Sequence, residues 1–224
     1  MAGRVRRETR SVDETVKRFA NRREAGRALA ARLAEQTWHD PLVLGLPRGG
    51  VPVAAEIAEV LGAELDVVVA RKIGAPDHPE YGVGAVTADS PPIYDPAVLR
   101  ALGLTEEQLT GTCERERDEA ARRTALYRRG RPPLAVEGRD VVVVDDGLAT
   151  GVTARAALHR LEQLGPHRVV LAVPVAARES LATFGTPVVT VLVPRGFGAV
   201  SRWYDRFEQL SDAEVLEVLD HRER

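Results

Sequence analysis

The stretch "VVVVDDGLATGVT", residues 141–153, runs four valines into two adjacent aspartates and then into small residues and hydroxyls. A continuously apolar run without alternation suits a strand covered on both faces, as in a parallel sheet. The segment after it, "VTARAALHRLEQLG" (152–165), has a helical pattern and ends at a glycine, a natural stop. So the chain passes from a buried strand, through a charged turn, into a helix.

Similar apolar runs recur outward from this point: "PLVLGL" (41–46), "LDVVVA" (65–70), "GVGAV" (82–86), "RVVLAV" (168–173) and "PVVTVLV" (187–193). Helical patterns separate several of them. One is "VPVAAEIAEVLG" (51–62), and another opens the chain at 15–36, with Val16, Phe19, Leu29 and Leu33 on one buried stripe. Strands alternating with helices predict an α/β fold, a doubly wound, mostly parallel sheet flanked by helices. Residues 105–129 interrupt the rhythm with a charged, helix-favouring segment, where Glu116 and Glu119 stand at helical spacing from Arg122 and Arg123. Near the end, Ser211 with Glu214 three positions on forms a capping-box pattern. We read one domain over 1–224, with a core at 14–193 and a small C-terminal element at 194–224.

The Asp-Asp turn is suited to a phosphorylated sugar. Backbone N–H groups at a helix N-terminus sit at the positive end of its dipole and bind phosphate. Gly147 and Gly151 let the backbone curl closely, and Thr150 and Thr153 add hydroxyl donors. The carboxylates would repel phosphate, but they can accept hydrogen bonds from ribose hydroxyls or help place a cation.

Over its whole length this stretch resembles the signature of the type I phosphoribosyltransferases: four hydrophobic residues, two acidic residues and a small-residue loop. The resemblance implies a site for 5-phosphoribosyl 1-diphosphate, with Asp145 and Asp146 on the ribose and Ala149, Thr150, Gly151, Val152 and Thr153 around the 5-phosphate. It implies a second loop in "GLPRGGVPVA" (45–54), where Arg48, Gly49 and Gly50 would hold diphosphate and Pro47–Arg48 would be a non-proline cis peptide. It implies a third at "RKIGAPDHPEYG" (71–82), where Arg71 and Lys72 would lie near the diphosphate. Of 31 basic residues only Lys17 and Lys72 are lysine, so a mid-chain lysine hints that a compact ammonium is wanted there. Mg²⁺ would be held mainly through the diphosphate and ribose, with Asp145 and Asp146 as its protein ligands, and Arg48, Lys72 and the two aspartates would carry catalysis.

The implied reaction transfers the phosphoribosyl group to a nitrogenous base with release of diphosphate, as in nucleotide salvage, so the implied partners are 5-phosphoribosyl 1-diphosphate and a nitrogenous base or nucleotide. The other reading is a non-catalytic sensor or regulator that binds 5-phosphoribosyl 1-diphosphate or a nucleotide. Six-oxopurine enzymes typically carry an aspartate where Ala149 stands here, so hypoxanthine and guanine are disfavoured. The C-terminal element would serve as the hood over the base, with Phe197, Trp203 and Tyr204 as stacking candidates.

Composition narrows the remaining classes. A net charge of −2 gives no basic field for nucleic acid. No run reaches the roughly 20 apolar residues of a membrane span, and the Arg-rich start at 4–10 lacks the apolar region of a secretory signal. Cys113 is the single cysteine, which excludes an internal disulfide and a cysteine metal cluster. The expected setting is cytoplasmic, with a homodimer admissible. The P-loop pattern GxxxxGK[ST] and the GxSxG elbow are both absent.

Overall fold

The computed structural model describes residues 18–221. Val16 and the Arg-rich stretch 4–10 fall outside these residues.

The chain begins with α1 (Arg22–Leu33), β1 (Leu42–Gly45), α2 (Gly50–Leu61) and β2 (Glu64–Val67). A three-stranded excursion follows, β3 (Ala70–Ala75), β4 (His78–Thr87) and β5 (Ile93–Tyr94), and then α3 (Pro96–Leu102) and α4 (Thr110–Arg128). The chain returns through β6 (Asp140–Val144), α5 (Val152–Glu162), β7 (Arg168–Val175), α6 (Arg178–Leu181), β8 (Val188–Leu192) and α7 (Asp212–Asp220).

The main sheet is fully parallel, in the order β2-β1-β6-β7-β8. From β1 the chain steps outward to β2, then crosses back to place β6 on the other flank of β1. The strand order therefore reverses between β1 and β6, and in such sheets ligands bind outside the carboxyl ends of the strands at that point. The four valines of β6 are all fully buried, as their uninterrupted run predicts. Val142 and Val144 pack with Leu29, Leu33, Val53 and Ile57 of α1 and α2 on one face. Val141 and Val143 pack with Ala154, Leu158 and Leu161 of α5 on the other.

The strand expected at 82–86 does not join this sheet. It belongs to β4, which pairs antiparallel with β3 in a separate sheet ordered β3-β4-β5. Only Pro76 and Asp77 separate β3 from β4, and a parallel crossover needs a dozen or more residues. The apolar run at 65–70 likewise divides, ending β2 at Val67 and starting β3 at Ala70.

The first helix is shorter than its apolar stripe. Asn21 has an extended backbone and its side chain accepts from the Glu24 N–H at 3.0 Å, which starts the helix at Arg22. Phe19 lies outside it and bridges to Tyr204 instead. The charged segment is helical as expected. Glu119 pairs with both Arg122 (2.7 Å) and Arg123 (2.6 Å), whereas Glu116 turns to Arg71 at 2.9 Å. The capping box at Ser211 and Glu214 forms in full. Among the described residues no helix is long and apolar enough to cross a membrane.

Candidate functional site

Two loops leave adjacent strands at the point of reversal. The loop after β1 begins with the Leu46 N–H donating to the Val144 carbonyl at 2.8 Å, which ties it to the end of β6. The Pro47–Arg48 peptide is cis. Gly49 and Gly50 then press directly on the acidic turn: a Cβ on Gly49 would overlap the Asp146 carboxylate, and one on Gly50 would overlap the Val144 carbonyl. The structure thus brings Arg48, Gly49 and Gly50 together with Asp145 and Asp146 at one sheet edge.

Both loops run into helices whose first turns have no side-chain cap, α2 after Gly49 and α5 after Gly151. By contrast, α1, α3 and α7 are capped by Asn21, Asp95 and Ser211, while α4 and α6 are uncapped as well. A helix leaves its first N–H groups without intrahelical partners, so α5 offers donors at this edge for an anion. The first turn of α2 does not: the Gly50 N–H donates to the Leu46 carbonyl at 2.9 Å, the Val51 N–H donates to the Arg48 carbonyl at 3.3 Å, and Pro52 has none. Gly151 enters α5 with φ +70°, a left-handed conformation that glycine adopts without steric cost. The loop before it is pinned by Leu148, whose N–H donates to Val175 and whose carbonyl accepts from Ala177, each at 2.8 Å. The Ser180 hydroxyl adds a bond to the Ala149 carbonyl.

The acidic pair is electrostatically costly. Burial, and then the neighbouring Asp146, push the Asp145 carboxyl well above the ordinary carboxylate range. Burial also raises Asp146, against a lowering pull from Arg22. Asp145 Oδ1 accepts from the Asp146 N–H at 2.9 Å. A cation, or hydroxyl groups as donors, would relieve this crowding.

Residues distant in sequence complete the site. Arg22 donates from Nε to Asp146 Oδ2 at 2.8 Å, with its side chain only 11% exposed. The Tyr204 hydroxyl donates to the Asp146 carbonyl at 2.6 Å. Asp212, the first residue of α7, lies 3.9 Å from Arg48 and accepts from the Tyr127 hydroxyl at 2.6 Å. No local pattern marks any of the three; Arg22 is one arginine among many and stands 124 positions from its partner. Arg22 also lines an open groove of about 780 Å³ between α1, α2 and α7, which the two loops do not line.

The third predicted loop is a strand. Successive side chains of a strand point to opposite faces, and this separates Arg71 from Lys72. Arg71 is held by Glu116 of α4, whereas the Lys72 stem lies across Gly82, beside Val152 at the start of α5. The structure therefore brings Lys72, and not Arg71, toward the phosphate loop. The stacking candidates are also taken up elsewhere. Phe197, Trp203 and Tyr204 are buried with Phe19, Ala25 and Val175, so these rings serve packing.

An open parallel sheet with a carboxylate pair and two glycine-bearing strand–helix loops at its switch point defines a doubly wound α/β protein. Comparison makes this specific: residues 14–194 match the model of the phosphoribosyl transferase domain, and the chain belongs to that family. It is similar to a Mycobacterium tuberculosis protein provisionally named a phosphoribosyl transferase, with 42% identity over 212 residues. That match takes in 93% of this chain and 48% of the relative, so the chain spans about half the length of the curated relatives it matches most fully. A shorter likeness links it to a uracil phosphoribosyltransferase of Delftia acidovorans, 49% identical over 51 residues, 23% of this chain and 24% of that one. Among solved structures it is similar to TT1426 of Thermus thermophilus, with 45% identity, a TM-score of 0.78, and coverage of 92% of this chain and 99% of that one.

Proposed function

We propose that the protein transfers the 5-phosphoribosyl group of 5-phosphoribosyl 1-diphosphate to a nitrogenous base. The observation that carries this reading is the direct contact of Gly49 and Gly50 with the Asp145–Asp146 turn, which joins two anion-binding loops around one carboxylate pair.

The base nitrogen forms a bond to the anomeric carbon as the carbon–oxygen bond to diphosphate breaks, and the electron pair leaves with the diphosphate. Positive charge builds on the ribose ring and negative charge on the departing group. The acidic pair accepts hydrogen bonds from the ribose hydroxyls and fixes the sugar for attack. The first turn of α5, with the Thr150 and Thr153 hydroxyls, takes the 5-phosphate, and Ala149, Gly151 and Val152 shape the cradle. Arg48 and the backbone of its loop take the diphosphate, where donors to developing charge count most. Lys72 approaches from β3 beside Val152, at the start of α5. Mg²⁺, which suits the crowded carboxylates, would be held by Asp145 and Asp146 and would offset charge on the diphosphate. No side-chain nucleophile is required.

The test is diphosphate release from 5-phosphoribosyl 1-diphosphate and Mg²⁺ across a panel of purine and pyrimidine bases. Turnover with one base is expected, and Ala149 disfavours the 6-oxopurines. The packing of Phe197, Trp203 and Tyr204 favours a second reading, a binder of the same ligand without turnover, because these rings are spent on the core. Tight ligand binding with no release across the panel would select that reading.

A further inference from the structure

Asp146 is gripped at both ends by parts of the chain that the phosphate-loop motif does not contain. Its carbonyl accepts from Tyr204, and its carboxylate accepts from Arg22. The same oxygen that Arg22 holds, Oδ2, abuts Gly49. Arg22 is itself fixed from several directions. Its backbone opens α1 behind the Asn21 cap. The chain just before it is stitched to the C-terminal segment, with Phe19 N–H donating to Trp203 at 2.8 Å and Asp205 N–H donating to Phe19 at 2.9 Å. Its guanidinium lies 3.9 Å from the Phe207 ring centroid, and its Nη1 donates to the Glu208 carbonyl at 3.0 Å.

An arginine that merely neutralised a surface acid would not need this scaffold. The fork of a guanidinium can hold a carboxylate in one orientation while its other nitrogens anchor elsewhere. Here Nε orients Asp146 while Nη1 and the flat face are held by the C-terminal segment.

We infer that Arg22 is a positioning residue for the ribose subsite: clamped by Phe207 and Glu208, it sets the orientation of the Asp146 carboxylate, so the C-terminal segment forms part of the sugar-binding site. Arg22 touches no ligand in this scheme and acts through Asp146. A carboxylate has about four lone-pair sites, so Arg22 takes one and leaves the others for ribose hydroxyls or a cation. The inference rests on the proposed ligand.

Two probes isolate it. 5-Phosphoribosyl 1-diphosphate needs the ribose subsite, whereas inorganic diphosphate needs only the Arg48 loop. Calorimetric titration, with Mg²⁺ for 5-phosphoribosyl 1-diphosphate and without it for diphosphate because the metal would itself sit on Asp146, should show Arg22→Ala weakening the first about tenfold, the lower end for loss of a partner that orients a ligating carboxylate. The affinity for diphosphate alone should change less than about twofold, well short of that effect. Arg22→Lys, which keeps the charge without the fork, should recover part of the loss. Equal weakening of both probes in the Ala and Lys variants would mean general structural damage and overturn the inference. Unchanged or tighter binding of 5-phosphoribosyl 1-diphosphate by Arg22→Ala would overturn it too, the tighter result showing that Arg22 obstructs the site. If the wild type binds diphosphate but not 5-phosphoribosyl 1-diphosphate, the ligand reading falls and carries the Arg22 inference with it.

Discussion

Gly49 and Asp146 are in such close contact that no side chain fits at position 49 without displacing the carboxylate. The backbone at Gly49 has φ −64° and ψ −33°, which any residue adopts, so space and not conformation demands the glycine. Gly49→Ala should therefore fold, push Asp146 from its place and weaken 5-phosphoribosyl 1-diphosphate binding by about tenfold or more, the price of roughly an ångström of misplacement. Gly50→Ala meets a backbone carbonyl that cannot swing away, and should instead destabilise the protein by about 1–3 kcal/mol. Titration and thermal unfolding of the pair distinguish the two outcomes; a Gly49→Ala variant with normal affinity would separate the two loops functionally.

Asp145→Asn and Asp146→Asn should each lose ligand affinity and keep the fold. Both carboxylates sit where burial opposes their charge, and Asp145 has Asp146 against it as well. A neutral amide of the same shape removes that opposition, so neither variant should melt below the wild type in the absence of ligand. Calorimetry and melting curves check both halves. Wild-type affinity in either variant would remove that residue from the ribose subsite.

A third carboxylate does the reverse. Asp140 begins β6 at the opposite edge of the sheet and is 2% exposed. It accepts from the His39 N–H at 2.9 Å, from Arg168 at 2.7 Å and from His167 at 2.7 Å. Burial alone would raise its pKa, but these donors outweigh that and hold it below the ordinary value. A depressed carboxylate contributes stability above the unfolded pKa of about 3.9 and loses it as pH falls through the folded value. Asp140→Asn should cost about 1.5–3 kcal/mol at neutral pH, the range for hydrogen bonds to a charged group, with the gap from wild type narrowing as pH falls below about 4. Ligand affinity should not change, because the site lies at the other end of the strand. Denaturant titrations at pH 7 and pH 3.5, beside one ligand titration, test all three statements.

The parallel sheet and the meeting of the two loops at its edge were legible in the sequence because each rests on local pattern. Uninterrupted valines mark a doubly covered strand, and a small-residue turn before a helical run marks a strand-to-helix passage. The antiparallel β3-β4-β5 sheet was not legible as such, because the run at 82–86 is as apolar as a parallel strand. Only the two-residue spacing of Pro76 and Asp77 betrays its direction. Arg22 and Asp212 leave no local trace of their place in the site, since Arg22 meets Asp146 and Asp212 meets Arg48 only once distant segments pack together; Tyr204 was legible as a ring, and its hydroxyl bond to Asp146 was not. Phe197 and Trp203 were misleading for the same reason, since an aromatic cluster reads alike whether it faces a base or the core.

The last prediction uses the alternation of β3. Arg71 and Lys72 are neighbours in sequence and point to opposite sides, Arg71 to Glu116 and Lys72 past Gly82 toward the start of α5. If Lys72 neutralises departing diphosphate, its contribution grows as the bond breaks and appears mainly in kcat. Loss of one such donor typically costs on the order of 10²-fold in rate. Lys72→Ala should then bind 5-phosphoribosyl 1-diphosphate nearly as the wild type does and turn it over about a hundredfold more slowly. Lys72→Arg should recover only part of the rate, because a planar guanidinium does not replace a point charge. Arg71→Ala, at the adjacent position on the other face, should leave both kcat and affinity near wild type and lose only its half-buried pair with Glu116, worth about 1 kcal/mol. Steady-state kinetics beside ligand titration for the three variants read this out once an acceptor base is found. A Lys72→Ala variant with full turnover, or an Arg71→Ala variant with the larger defect, would reverse the roles assigned here to the two faces of the strand.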